Sequence, residues 1–410
     1  MTFFLLFVCG FVLSSLLLPA QADTSLFKRK PVDTTQQSAM NMDAVYNRPF
    51  LQMGNTPVSM GGYVEANYRY ERDQGVSTGH SFQMQRLTLF FAAAIDPRIR
   101  FLTEIEFEGG GKEIAIEFAS IDLTIADLCV LRGGILMNPI GAFNQNHDGP
   151  KWEFVDRPIA MTHMLPATWS NVGFGAYGKT FSGPWSFGYE AYLTNGFDES
   201  IIDNVSNRTS LPATKDNAER FSGSSNGHPL LTTKIATRHE GIGEVGVSYM
   251  GGVYNQTVSD GIDIDKARRV DVVDVDFNIT LPLLATRIVG EWAWVFVDVP
   301  STYSQQYGSK QMGGYVDVIQ PIYRGAILGF EKAVLNASVR VDYVDWNVGT
   351  FKETGDSIGD EFWGVTAGLS FRPVAQTVVR MNARIGRSTD LLGNPPTRSG
   401  GFQIGFASYF

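Results

Sequence analysis

The chain has 410 residues, a net charge of −9, 18% charged and 12% aromatic residues, 43 glycines and two cysteines. An acidic chain without basic runs argues against nucleic acid as a partner. A composition poor in helix formers and rich in glycine and aromatics points to half-buried strands and tight turns.

The chain starts with an apolar run from Phe3 to Leu18, followed by Pro19 and Ala20-Gln21-Ala22. This pattern predicts a secretory signal over 1–22 with cleavage after Ala22, although no Lys or Arg precedes the run. Cys9 would leave with it, so Cys129 would have no partner for an intrachain disulfide. No other stretch is apolar for long enough to cross a membrane as a helix. Residues 23–59 scatter Pro31, Gln36, Gln37, Asn41 and Pro49 without a sustained period. They are expected to form a poorly ordered periplasmic arm.

From residue 60 to 410 two-residue alternation takes over. Val64, Ala66, Tyr68 and Tyr70 share one face and Glu65, Asn67, Arg69 and Glu71 the other. Leu87, Leu89, Phe91, Ala93 and Ile95 then oppose Arg86, Thr88 and Phe90, and Phe101, Thr103, Ile105 and Phe107 oppose Arg100, Glu104, Glu106 and Glu108. The same faces recur at Trp185–Leu193, Val273–Leu281, Ile288–Phe296, Leu335–Val341, Trp363–Phe371 and Thr377–Ile385. One face stays uncharged for about 9 to 11 residues, the length of a tilted transmembrane strand. The other carries Glu190, Asp274, Asp276, Arg287, Glu291, Arg340, Asp342, Arg380 and Arg384, as a wet lumen would require.

Short turns at 96–98, 182–184, 240–243, 282–285 and 372–375 alternate with longer connections at 73–80, 133–172, 196–229, 255–267, 300–310, 347–360 and 387–400. That asymmetry, an even count of about 16 strands and a final segment ending on Tyr409-Phe410 predict an all-β protein. Its form is a transmembrane antiparallel β-barrel, since only a closed barrel satisfies every backbone group in lipid without spanning helices. The alternation weakens near 113–125, where Glu117 shares parity with Ile121, and around 319–331. Bulges, or a miscount by one hairpin, would account for both.

The connection from Gly133 to Gly175 is long, punctuated by Pro139, Pro150, Pro158 and Pro166, and carries Ile140, Phe143, Trp152, Phe154, Met161, Met164, Leu165 and Trp169. A linker would not carry so much apolar surface. The chain from Gly61 through this stretch resembles the phosphate-selective porin O and P family of bacterial outer-membrane porins. The resemblance rests on a glycine-rich first strand, a Glu-rich early hairpin and a series falling on Pro139, Gly141, Asn144, His147, Pro150, Phe154, Arg157, Leu165, Pro166, Thr168, Trp169 and Gly173. It implies a homotrimeric sixteen-stranded porin in the outer membrane, its third loop (about 137–172) folded inward as a constriction. The expected function is passive diffusion of small hydrophilic solutes or inorganic ions. A barrel serving mainly adhesion or structure is the alternative, and a barrel hydrolase a third.

Candidate constriction residues are His147, Asp148, Lys151, Glu153, Asp156 and Arg157; candidate lumen residues are Arg69, Arg86, Arg100, Glu104, Glu106, Arg340, Arg380 and Arg384. Phosphate preference does not follow, because acids and bases are balanced along the expected lumen. Arg86, Arg340, Arg380 and Arg384 would either form a basic wall facing the loop acids or serve as ordinary solvated wall charges. No enzyme, metal or cofactor is expected. Gly75-Val76-Ser77-Thr78-Gly79 matches a nucleophile motif but lies between strands instead of at a strand-to-helix elbow. His147-Asp148 and His163 lack ligand spacing, and a loop histidine bonded to backbone is the commoner case.

Overall fold

The computed structural model describes residues 27–29, 40–53 and 58–410 apart from 127, 225 and 304. The expected signal over 1–22 and much of the arm lie outside the described residues. The main sheet counts 18 strands, of which Phe27–Arg29 and Leu51–Met53 are three-residue additions at one end of the wall. The remaining sixteen close on themselves. They are β1 (Val58–Asp73), β2 (Val76–Asp96), β3 (Ile99–Glu108), β4 (Glu113–Ala126), β5 (Cys129–Met137) and β6 (Ser170–Ser182). Next come β7 (Trp185–Asn195), β8 (Pro229–His239), β9 (Gly243–Val253), β10 (Arg269–Leu281) and β11 (Thr286–Val297). The last are β12 (Lys310–Ile327), β13 (Phe330–Asp345), β14 (Glu361–Arg372), β15 (Thr377–Ser388) and β16 (Thr397–Tyr409). Each pairs antiparallel with the next, and β16 returns to β1 with Tyr409 opposite Tyr63 and Ser399 opposite Asp73. Among the described residues no helix is long and apolar enough to cross a membrane.

The faces are inverted relative to a protein folded around an oily core. Phe187, Leu193, Ile235, Val247, Val339 and Ile385 are exposed, whereas Glu190, Lys234, Asp274, Asp276, Arg340 and Arg380 are buried. Alternation therefore resolves into an apolar outer belt and a polar interior, the arrangement a lipid-facing barrel needs.

The expected irregularities are bulges. Glu104 pairs with Phe118 and Ile105 with Ile116, so Glu117 is the extra residue. It flips the parity, with Ile114 and Ile116 outward before it and Ile121 and Leu123 outward after it. Register shifts at Pro321/Tyr323 and Gly325/Ile327 do the same near the end of β12. The short steps from Ala126 to Cys129 and from Ile327 to Phe330 complete the short-turn end.

The segment 73–80 is not the open loop that the sequence suggested. The strands continue to Gln74-Gly75, both at positive φ (49° and 80°), where a two-residue turn matches strand twist. Ser77 of the nucleophile-like motif is exposed strand, its Oγ accepting from the Gly79 N–H at 3.2 Å.

Residues 40–53 also depart from a poorly ordered arm. They include a 3₁₀ turn at Asn41–Asp43, and Met40, Met42 and Arg48 are buried. Their partners are inward-facing wall side chains, which no local period reveals. An apolar cluster joins Ile140, Phe143, Met161, Met164, Leu165 and Trp169 of the long connection to Phe197, Ile201 and Leu211 of the next one and to Val270, Val272, Ala293 and Val295 of β10 and β11. This supplies the packing surface that the loop composition demanded.

Candidate functional site

The connection between β5 and β6, residues 138–169, is tied across the wall by hydrogen bonds. Its root is sealed by Asn144, whose Nδ2 donates to the carbonyls of Asn138 and Trp169 at 2.8 and 2.9 Å and whose Oδ1 accepts from the Trp169 N–H at 2.7 Å. Glu291 of β11 accepts from the N–H groups of Ala142 and Phe143 at 3.0 and 2.8 Å. Beside them Lys234 of β8 donates to the Gly141 carbonyl at 2.8 Å while pairing with Asp276 at 2.6 Å. Gly141 sits at φ 64°, and a Cβ there would run into the Glu291 carboxylate. Glycine is therefore required twice over at this position.

Farther along, Val155 N–H donates to Asn382 of β15 at 2.8 Å and Ile159 N–H to Asp342 of β13 at 3.1 Å. Arg380 of β15 donates to the carbonyls of Gly149 and Trp152, both at 3.0 Å. Backbone groups of an irregular loop thus find partners on wall side chains, which satisfies polar groups that no regular element would pair.

Each predicted loop charge has a defined position. Asp148 pairs with Arg48 at 2.6 Å and Lys151 at 3.2 Å, and accepts from the Tyr409 hydroxyl at 2.5 Å. Burial would raise its carboxyl, but the charges of Arg48 and Lys151 prevail and hold it far below the usual carboxylate range. Glu153 meets Arg372 at 2.9 Å and Arg287 at 3.5 Å; burial opposes those charges, yet its carboxyl is also held low. Asp156 binds Arg69 at 2.6 Å, Arg384 at 2.7 Å and Gln403 at 2.7 Å. The two guanidiniums outweigh burial and depress it too. Burial lowers the Lys151 ammonium, with Asp148 opposing.

His147 is buried with Nδ1 on the Asn144 carbonyl at 2.9 Å, the backbone-bonded histidine expected from sequence. Its Nε2 lies 3.5 Å from Glu104 and 3.8 Å from Asp148, and these three residues form a compact potential ligand set. Arg48 already bridges both carboxylates at 2.6 Å, and Lys151 is on Asp148. With two cations answering two anions, the cluster has no charge left for a metal ion. His163 contacts Thr162 at 3.0 Å, away from this group.

The four arginines considered as a basic wall behave differently from one another. Arg86 spends its charge on Glu65, Glu106 and Glu108 of its own side (3.3, 3.2 and 2.6 Å). Arg380 pairs with Glu65 and Arg340 with Asp317 at 2.7 Å. Arg384 alone of the four pairs with a loop carboxylate. Each of these arginines is thus held in a direct ion pair. Arg100 lies over the Tyr46 ring at 4.8 Å, 3.6 Å from Asp122.

Two cavities adjoin the connection. One of about 450 Å³, at the short-turn end, is lined by Lys151 and Trp152 together with Arg287, Lys332 and Arg372. The other, of about 70 Å³, lies toward the long loops beside Asp156, Arg157, Arg340, Asp342 and Arg384. Residues 150–152 border the first and 154–159 the second. Sequence reasoning missed Lys332, Arg372 and Arg48 as interior charges. Arg372 and Lys332 keep the inward parity of Ser370 and Asn336 but lie just beyond the runs read as strands, and Arg48 sits in the aperiodic arm, where no parity exists to mark it.

Comparison of folds identifies this architecture. The structure matches the anion-selective porin from Comamonas acidovorans with a TM-score of 0.54 at 12% identity, covering 86% of this chain and 99% of that one. The fold is that of the outer-membrane porins. OmpF of Salmonella typhi matches at 0.53 and 12% identity over 87% of this chain and 99% of that one. OprB of Pseudomonas putida matches at 0.53 and 10% identity over 86% and 94%. At such identities the likeness concerns the fold alone. In sequence, the chain is 37% identical over 146 residues to an uncharacterized protein of Aquifex aeolicus; the match spans 34% of this chain and 32% of that relative's length. No family model matches.

Proposed function

We propose that the chain is an outer-membrane porin through which small hydrophilic solutes or inorganic ions diffuse passively, with residues 138–169 as its constriction. The observation that carries this is the pair of cavities on either side of one charged, wall-tethered loop, inside a barrel whose outer face is apolar. A structural or adhesive barrel has no use for an interior so heavily charged and open at the short-turn end. Single-channel recording after reconstitution tests it: discrete conductance steps are expected, and a bilayer that stays closed refutes the proposal.

The cavity linings support a preference for anions. Although the chain is acidic overall, Lys151, Arg287, Lys332 and Arg372 line the larger cavity with no acid among its lining residues; the carboxylates that pair with three of them, Asp148 and Glu153, are buried beside it. Three bases against two acids line the smaller one. Low-dielectric walls focus such a field, so the passage favours anions. The resemblance to the phosphate-selective group, carried by the glycine-rich first strand, the Glu-rich hairpin and the loop series, is consistent with this. Arg287→Gln, Lys332→Gln and Arg372→Gln together should move the reversal potential in a salt gradient toward cations. Assembly as a homotrimer, with lipid around its outer rim, belongs to the same proposal; unboiled gels against boiled ones test it.

A further inference from the structure

The barrel interior is divided unequally by residues 40–50, a segment outside both the wall and the long loop. The Asn41 N–H donates to the Glu244 carboxylate of β9 at 3.1 and 3.0 Å, and its Nδ2 reaches Asp276 of β10 at 3.4 Å. Met40 and Met42 pack with Ala236 of β8. They also cover Gly188 of β7, where a Cβ would come within 2.6 Å of the Met42 sulfur. Asp43 pairs with Lys179 of β6 at 2.8 Å. Tyr46 donates to Asp122 of β4 and accepts from Arg132 of β5 at 2.9 Å. Arg48 grips Glu104 of β3 at 2.6 Å and Asp148 of the loop at the same distance. Phe50 meets Phe90 of β2 edge-on at 5.1 Å, and Pro49 lies against Gly61 of β1. The segment therefore touches every wall strand from β10 back to β1.

The larger cavity occupies the complementary arc, bounded by Asn278 of β10, Arg287 of β11, Ile319 of β12, Lys332 of β13, Arg372 of β14 and Tyr409 of β16. The two halves also differ in charge. Glu104, Asp122 and Glu244 face the segment and are covered by it, whereas Arg287, Lys332 and Arg372 face the open space.

We infer that residues 40–50 are a resident plug that sets the bore and the charge selectivity of the pore. It fills the β1–β10 side of the short-turn mouth, hides the acidic half of the wall and leaves solutes the basic half. The inference rests on the porin proposal and goes beyond it. Arg48 is the lock: withdrawing it would leave Glu104 buried without its guanidinium and Asp148 with Lys151 alone, which is costly enough to hold the plug in place. The same bond ties the plug to the constriction loop, so the two elements share one positioning residue.

The test compares the full chain with a variant lacking 40–50, both reconstituted in planar bilayers, after a heat-modifiable gel shift shows that each is folded. Deletion should raise conductance about twofold, by opening the covered half of the mouth, and should move the reversal potential toward cations as the acids become accessible. Arg48→Gln, which keeps the chain length, should shift both readouts in the same direction by less and add open-channel noise. A folded deletion variant with the conductance and reversal potential of the full chain overturns the plug while leaving the porin proposal standing. If the deletion does not fold, an Arg48→Gln channel identical to the unaltered one overturns it. A full chain that is silent while the deletion conducts overturns the inference as stated, because the segment would then close the basic half as well. Silence from both proteins defeats the porin proposal and the plug together.

Discussion

Arg340 and Asp317 offer the sharpest test of how dry the barrel interior is. They are register partners on β13 and β12, joined by two parallel bonds, Nε to Oδ1 and Nη2 to Oδ2, each 2.7 Å. Their side chains are 2% and 0% exposed. The guanidinium also donates to the Asp156 carbonyl at 2.7 Å and lies 4.5 Å from the Phe154 ring centroid. Arg340→Met leaves the Asp317 carboxylate buried and alone, which costs about 3–5 kcal/mol. Losing the bond to Asp156 adds about 1 kcal/mol. At 1.4 kcal/mol per tenfold, a total of about 4–6 kcal/mol lowers the folding equilibrium by roughly three to four powers of ten. Replacing both partners, as Arg340→Met with Asp317→Leu, should recover most of that loss because neither desolvation penalty remains. Urea unfolding from liposomes, followed by the fluorescence of the seven tryptophans, reads the midpoint shifts. If the two single-variant losses add up to the double-variant loss within about 0.5 kcal/mol, the pair is solvated and the interior there is wet, contrary to the geometry.

Three further outcomes are expected. Ile235 stands at the centre of β8 with 70% exposure, so Ile235→Arg should cost about 2–4 kcal/mol in lipid; a neutral result by the same unfolding assay would place that face away from the bilayer. Gly141→Val meets both the positive φ and the Glu291 carboxylate and should cost at least about 1 kcal/mol. It should also loosen the loop root, read as greater conductance in a barrel that still shows its heat-modifiable shift. The Asp156 carboxyl is held low by Arg69 and Arg384 against the opposing effect of burial. Its contribution is fully present above the unfolded value and lost as pH falls through the lower folded one. The stability gap between the unaltered chain and Asp156→Asn should therefore be flat from about pH 7 to 5 and close only below about pH 4; a gap that closes between 7 and 5 contradicts the assignment.

The barrel was legible because its signal is local. Side chains two residues apart share a face, so runs such as Trp185–Leu193 and Ile288–Phe296 announced strands, faces and, through turn spacing, their number. Even Glu117 betrayed its bulge by breaking parity. Loop composition also carried information: the apolar surplus of 138–169 required a surface to pack on, and the cluster with β10, β11 and the following loop supplies one.

What remained hidden depends on partners far apart in the chain. Val155 meets Asn382 at a separation of 227 residues and Arg48 meets Asp148 at 100, and no period links such positions. Parity could say that Arg340 and Arg380 point inward, but not that their charge would be spent on Asp317 and Glu65. The arm had no period at all, since a short 3₁₀ turn and extended pieces satisfy their polar groups on the wall instead of along themselves. The sequence by itself determined a closed barrel, its inward and outward faces and its long third connection, because these follow from neighbour spacing and backbone hydrogen-bond demand. Only the tertiary structure decided which charges cancel, which half of the interior is filled and where the open space lies, because closing the barrel brings distant strands and the arm into one enclosed volume.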